Sequence, residues 1–204
     1  MLSLTQLLEL KGGISATKRL EDERRKYENT RTKQEQLLSV CLHMLLNLAE
    51  DVMIEKKMKK RNIVSYLVEL LDWDNPELQL VILTFLKKLS IYKENKDEMV
   101  RNQFLNFFLF LDKAISNLVS KMVKFVPSEH EALLSTVLRL LLNLSFDVEL
   151  QQQMVKSGFI PKLVELIPLD SYRPVVLKVL YHLSMTEKFR SLFNFTDAIP
   201  MVKY

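Results

Sequence analysis

Leu141-Leu142-Asn143-Leu144-Ser145 closes an apolar helix, and the chain writes nearly the same phrase three more times. The others are Leu45-Leu46-Asn47-Leu48-Ala49, Leu86-Lys87-Lys88-Leu89-Ser90 and Leu180-Tyr181-His182-Leu183-Ser184. Their third residues, Asn47, Lys88, Asn143 and His182, lie 41, 55 and 39 positions apart. Self-similarity near forty residues is the signature of stacked helical repeats, which bury their apolar faces only against neighbours. A solenoid of this kind works through an extended surface, not a closed pocket.

One interval is too long. A Leu-Val pair at Leu67, Leu118 and Leu163 follows the preceding third residue by 20, 30 and 20 positions, so about ten extra residues lie between Lys88 and Leu118. The excess coincides with Arg101–Leu111, RNQFLNFFLFL, which has four phenylalanines and no charge after Arg101. Three readings fit this insertion: a longer helix packed on the array, a partner- or membrane-contacting loop, or the translation of an AT-rich intron. Removing ten to twelve residues restores the period.

The 204 residues are 48% hydrophobic but hold only three glycines and six prolines, a balance that favours helix, and no segment alternates as a strand does. No apolar run reaches the ~20 residues of a membrane-spanning helix. The net charge of +4 is too mild to demand nucleic acid as a partner. Cys41 is the sole cysteine, which rules out an intrachain disulfide, points to a reducing compartment and predicts a buried thiol inside an apolar helix. His130-Glu131-Ala132-Leu133-Leu134 starts like a zinc-protease helix but lacks the second histidine. With no phosphate loop and no zinc-spaced cluster, no catalytic, metal or cofactor residues are assigned.

The organisation follows. Residues 1–36 form an N-terminal charged helical segment, with Gly12-Gly13 as a stop after its first apolar stretch; residues 37–204 form the array, interrupted near 100–112. Asn75-Pro76 reads as an N-cap followed by a first helical residue, and Ser157-Gly158-Phe159-Ile160-Pro161 as a tight turn into a helix. Lys56, Lys57, Lys59, Lys60 and Arg61 read as solvated turn residues. Asp197–Val202 begins the repeat pattern again, so the chain is expected to be a piece of a longer solenoid with an incomplete last repeat.

The exit helices carry a polar stripe. Ser39, His43 and Asn47 stand at i, i+4 and i+8, Ser135, Arg139 and Asn143 repeat that spacing, and Thr84/Lys88 and Lys178/His182 extend it. A helix buried on most of its circumference must show such a stripe to water or to a ligand. The predicted partner-binding groove is therefore His43, Asn47, Lys88, Arg139, Asn143, Lys178 and His182.

Helix pairs with a G-x-I-P opening, an L-V-x-L-L helix and an L-L-N-L-S exit resemble armadillo repeats. More specifically, Gln34–Leu38, Leu45–Asp51, Phe85–Ile91, Glu94-Asn95-Lys96, Leu138–Asp147 and Val179–Met185 resemble the kinesin-associated protein family. The resemblance covers about residues 33–100 and 112–204. It implies an all-α, right-handed armadillo-like superhelix of about four repeats. It also implies a non-enzymatic accessory subunit that binds kinesin-2 motor tails and cargo adaptors, without inserting into membranes. Cytoplasm, cytoskeleton and cilium are the implied locations, and intraflagellar transport the implied process. In armadillo proteins the exit asparagine bonds the backbone of an extended partner, a role that carries over only to Asn47 and Asn143. Lys88 and His182 break that ladder and favour acidic side chains. The rival readings are an armadillo adaptor of nuclear-import or junctional type, for which the lone Trp73 is badly placed, and a truncated product without activity.

Overall fold

The computed structural model describes residues 4–90, 118–197 and 200. Regular structure among them is helical throughout, with no strand: α1 (Leu4–Leu48), α2 (Val52–Lys60), α3 (Ile63–Leu70), α4 (Pro76–Leu89), α5 (Glu131–Leu144), α6 (Val148–Lys156), α7 (Phe159–Val164), α8 (Arg173–Met185) and α9 (Glu187–Arg190). Residues 118–122 are helical and run into a 3-10 turn, Val123–Phe125; a second such turn, Ser191–Phe195, follows α9. The all-α, armadillo-like solenoid expected from the repeat period is the fold observed. The inserted Arg101–Leu111 segment and most of the renewed pattern after Asp197 fall outside the described residues.

Two compact units divide the chain, Met1–Met44 and Leu45–Tyr204. The first is most of α1. Its charged stretch is exposed and carries the i,i+4 pairs Arg24–Glu28 (2.8 Å) and Arg31–Glu35 (3.0 Å), each worth only about 0.3–0.5 kcal/mol on a helix surface. Gly12-Gly13 does not stop α1, which runs through both glycines. A glycine ends a helix only when the chain turns left-handed there, and in a helical setting it merely weakens it by about 1 kcal/mol. Cys41 corrects the expectation of a buried thiol. It is exposed, as are Leu37, Val40 and Met44, while the neighbouring Leu42 is buried. Adjacent helical positions differ by about 100° in direction, so an apolar surrounding sequence does not by itself bury the thiol.

Among the described residues of the second unit, the repeats over 52–89 and 148–185 each hold three helices, not the pair read from the sequence. In both, the extra short helix opens just after the exit phrase. Asp51 Oδ1 accepts from the amides of Met53 (2.7 Å) and Ile54 (3.1 Å) to start α2. Asp147 Oδ1 does the same with Glu149 (2.9 Å) and Leu150 (3.2 Å) for α6. Each aspartate follows the exit asparagine by four residues, so the cap was legible. Lys56, Lys57 and Lys60 are exposed on the outer face and end of α2, not in a connecting turn, because Glu55 and Met58 take the inner face; Arg61 alone is an exposed residue of the turn into α3, as expected.

The remaining helices start where their local chemistry says they should. Asn75 Oδ1 accepts from Leu78 N (3.0 Å) with Pro76 as the first residue of α4. Gly158 enters α7 at φ 76°, a left-handed conformation that an L side chain resists. Helices α4, α5 and α8 pack side by side in that order, so the third helices of successive repeats form a row. At its centre, α5 buries Leu133, Leu134, Val137, Leu138, Leu140, Leu141 and Leu144, each leucine contributing about 2 kcal/mol by leaving water. Behind the row, lysines tie the second helices together. Lys121 Nζ donates to Val68 O (2.9 Å) and Asp72 Oδ2 (2.7 Å), and Lys124 Nζ donates to Leu71 O (2.9 Å). These cations meet the free carbonyls at the C-terminus of α3, where the helix dipole is negative.

Candidate functional site

The packed row brings the exit phrases of α4, α5 and α8 next to one another, and their third residues are not idle. Asn143 Nδ2 donates to Ser90 Oγ at 2.9 Å, with Lys87 O at 3.5 Å. His182 Nδ1 lies 2.7 Å from Ser145 Oγ. In both cases the third residue of one repeat meets the fifth residue of the preceding phrase, a serine that is the C-cap of its own helix.

The hydroxyl chemistry sets donor and acceptor. Ser90 Oγ donates to Lys87 O (2.6 Å) and Ser145 Oγ to Leu142 O (2.8 Å), so each hydroxyl proton is committed to a carbonyl one turn back. The oxygen is then left as acceptor, which suits an amide N–H from Asn143. By the same accounting His182 carries its proton on Nδ1 and leaves Nε2 to accept. The first phrase has Ala49 where the others have serine. No hydroxyl exists there, and the longer Lys88 reaches one residue further to form an ion pair with Glu50. The recurring serine of the phrase was the signal for this fastening, and the sequence reading passed over it.

The seven predicted groove residues therefore separate by environment. Lys88, Asn143 and His182 are half-buried and engaged with the neighbouring repeat. Asn143 still has its side-chain carbonyl, and Glu50 is largely exposed, so these contacts leave polar capacity toward solvent. Asn47, Arg139 and Lys178 are exposed. His43, which lies in the first unit, is exposed and bonds Ser39 O of its own helix at 2.8 Å. Arg139 and Asn143 on α5, and Lys178 and His182 on the adjacent α8, make two parallel steps of the row.

His182 is also an aromatic node. The Phe146 ring lies 4.3 Å from its centroid and the Tyr181 ring 6.0 Å away. Burial pushes the His182 pKa below its usual value, because the charged imidazolium loses water and gains no carboxylate in return. Next to it, Gln151 is a buried connector that the sequence reading missed. Its Nε2 donates to Ser145 O (2.7 Å) and its Oε1 accepts from Thr186 Oγ1 (2.6 Å), joining the end of α5 and the start of α9 through α6.

The arrangement offers polar side chains and paired cations along a row, which is the chemistry of peptide recognition. Among the described residues no group of three or more histidine, cysteine, aspartate or glutamate side chains could hold a metal ion. No helix among them is long and apolar enough to cross a membrane.

Comparison with known proteins agrees with this architecture. A sequence model of the kinesin-associated protein (KAP) family matches residues 10–204. Among solved structures, the crystal structure of an engineered protein is similar with a TM-score of 0.65 at 18% identity. That match covers 83% of this chain and 66% of the engineered one, and at such identity it speaks for the fold alone.

Proposed function

Because this chain belongs to the kinesin-associated protein family, we propose that it is a non-enzymatic adaptor that binds the tails of kinesin-2 motor chains and links them to cargo adaptors. Its working place is the cytoplasmic cytoskeleton, including the cilium, where it serves microtubule-based and intraflagellar transport. The observation that carries this reading is the family match over residues 10–204. The row built by α4, α5 and α8 supports it with a surface of suitable chemistry. Arg139 and Lys178 present free cationic groups, while Lys88, Asn143 and His182 supply polar groups beside them, and Asn47 at the end of α1 is exposed as well. Charged donors of this kind favour acidic side chains on an extended partner.

The test is binding of purified kinesin-2 tail segments to the 204-residue chain and to Arg139→Ala/Lys178→Ala. The double variant is expected to weaken binding about tenfold while leaving the helical circular dichroism unchanged, since both side chains are exposed. Tails that bind neither protein, or both equally, would overturn the assignment of this surface.

A further inference from the structure

The exposed face of the row has an apolar half that the polar stripe does not describe. On α8 the positions open to solvent are Pro174, Lys178, Tyr181 and Met185, spaced i, i+4, i+7 and i+11 along one line. On α5 the equivalent line runs through Arg139 to Phe146 just past its end. Phe146, Tyr181 and Met185 are 64%, 60% and 59% exposed, although the other large apolar residues of α5 and α8 are buried or half-buried. Phe146 and Tyr181 both lie against the His182 ring, at 4.3 Å and 6.0 Å, so the junction of the two repeats brings them to one node.

The cations on the same lines are unspent. Lys88, Lys121 and Lys162 are each engaged inside the protein, with Glu50, with Asp72 and Val68 O, and with Val126 O. Arg139 and Lys178 have no such partner among the described residues. The only carboxylate in α5 is Glu131, about 12 Å of helix rise from Arg139, and α8 has none. Two unneutralised cations beside three exposed apolar side chains form a mixed patch: Phe146 lies about two turns beyond Arg139, while Tyr181 lies about one turn and Met185 about two turns beyond Lys178.

We infer that this patch recognises an extended acidic peptide segment carrying an aromatic or large aliphatic anchor. The anchor packs on Phe146, Tyr181 and Met185, and two carboxylates meet Arg139 and Lys178. Neighbouring helices lie about 8–10 Å apart and an extended chain rises about 3.3 Å per residue, so the two carboxylates stand about three residues apart. The inference rests on the groove reading above and adds to it the apolar anchor and the spacing.

A randomised twelve-residue peptide library displayed on phage, selected on the 204-residue chain, tests both. The enriched sequences are expected to share two acidic residues about three apart and one aromatic or large aliphatic residue. The resynthesised consensus peptide, and its copy with alanine at the anchor, are then titrated against three proteins: parent, Phe146→Ala/Tyr181→Ala and Arg139→Ala/Lys178→Ala. The aromatic variant should bind the anchored peptide about tenfold more weakly and the anchorless copy as the parent does. The cation variant should lose affinity for both. If the cation variant weakens binding and the aromatic variant does not, the anchor is refuted and the groove reading stands. If the cation variant has no effect, or no sequence enriches, the groove reading falls and takes this inference with it.

Discussion

Gln151→Leu removes the connector that joins three helices across a repeat boundary. Gln151 is 6% exposed, and its amide makes two short contacts, 2.7 Å to Ser145 O and 2.6 Å from Thr186 Oγ1. Leucine keeps the volume, so no cavity opens and the loss is polar. Ser145 is fully buried, and stripping its carbonyl of the Gln151 donor costs about 1–3 kcal/mol. Thr186 is half-buried and its hydroxyl can turn to water, which holds its share to about 0.5–1.5 kcal/mol. The sum is about 1.5–4.5 kcal/mol. With a urea slope of about 2–3 kcal/mol per molar, the unfolding midpoint should fall by about 1 M, read by circular dichroism at 222 nm. Repeat stability is a sum of local and nearest-neighbour terms, so hydrogen exchange should rise first over 145–190 and leave α3 and α4 protected. Thr186→Val alone should cost about 1–3 kcal/mol, because it leaves the buried Gln151 Oε1 without its donor, and adding it to Gln151→Leu should cost less, because the shared bond is already gone. A Gln151→Leu midpoint within about 0.2 M of the parent would show that this amide does not bind the repeats together.

Further outcomes follow from particular contacts. Asp147→Ala removes an acceptor for two amides at the start of α6 and should destabilise the chain by about 1 kcal/mol, measured by urea unfolding; Asn75→Ala should do the same for α4. Gly158→Ala places a Cβ in open space, so its penalty is purely the left-handed backbone, about 1–2 kcal/mol, and Gly158→Asn should recover part of it. Stability should fall on the acid side through His182. Its native pKa lies below the unfolded value near 6.5, so the native state binds fewer protons than the unfolded one in that window. Its contribution is complete above the unfolded pKa and is lost as pH falls through the native one. His182→Asn, which keeps a donor for Ser145, should flatten the unfolding midpoint between pH 7.5 and pH 5; an unchanged slope would remove His182 from that role.

Local signals carried most of the fold. The phrase Leu-Leu-Asn-Leu-Ser located the third helices, Asn75-Pro76 started α4 and Gly158 opened α7, because caps and left-handed turns are decided within four or five residues. The short helices α2 and α6 were overlooked although Asp51 and Asp147 announced them, since nine-residue helices leave little periodicity to count. Cys41 shows the opposite failure. Its sequence surroundings are apolar, yet which side of a helix is covered depends on what packs there.

The candidate site divides along the same line. From sequence alone came the repeat period, the helical class, the family likeness and the polar stripe with its cations Arg139 and Lys178, all of which depend on spacing along one chain. Which stripe residues remain free was settled only by tertiary packing. Asn143 meets Ser90 across 53 residues and His182 meets Ser145 across 37, so hydrogen bonds between helices, not within them, separate the fastened groups from the exposed ones. The apolar half of the face, Phe146, Tyr181 and Met185, has the same origin. Tyr181 and Met185 look like core in α8, and Phe146 like core just past α5, and only the burial of their neighbours against adjacent repeats shows that these three were left outside.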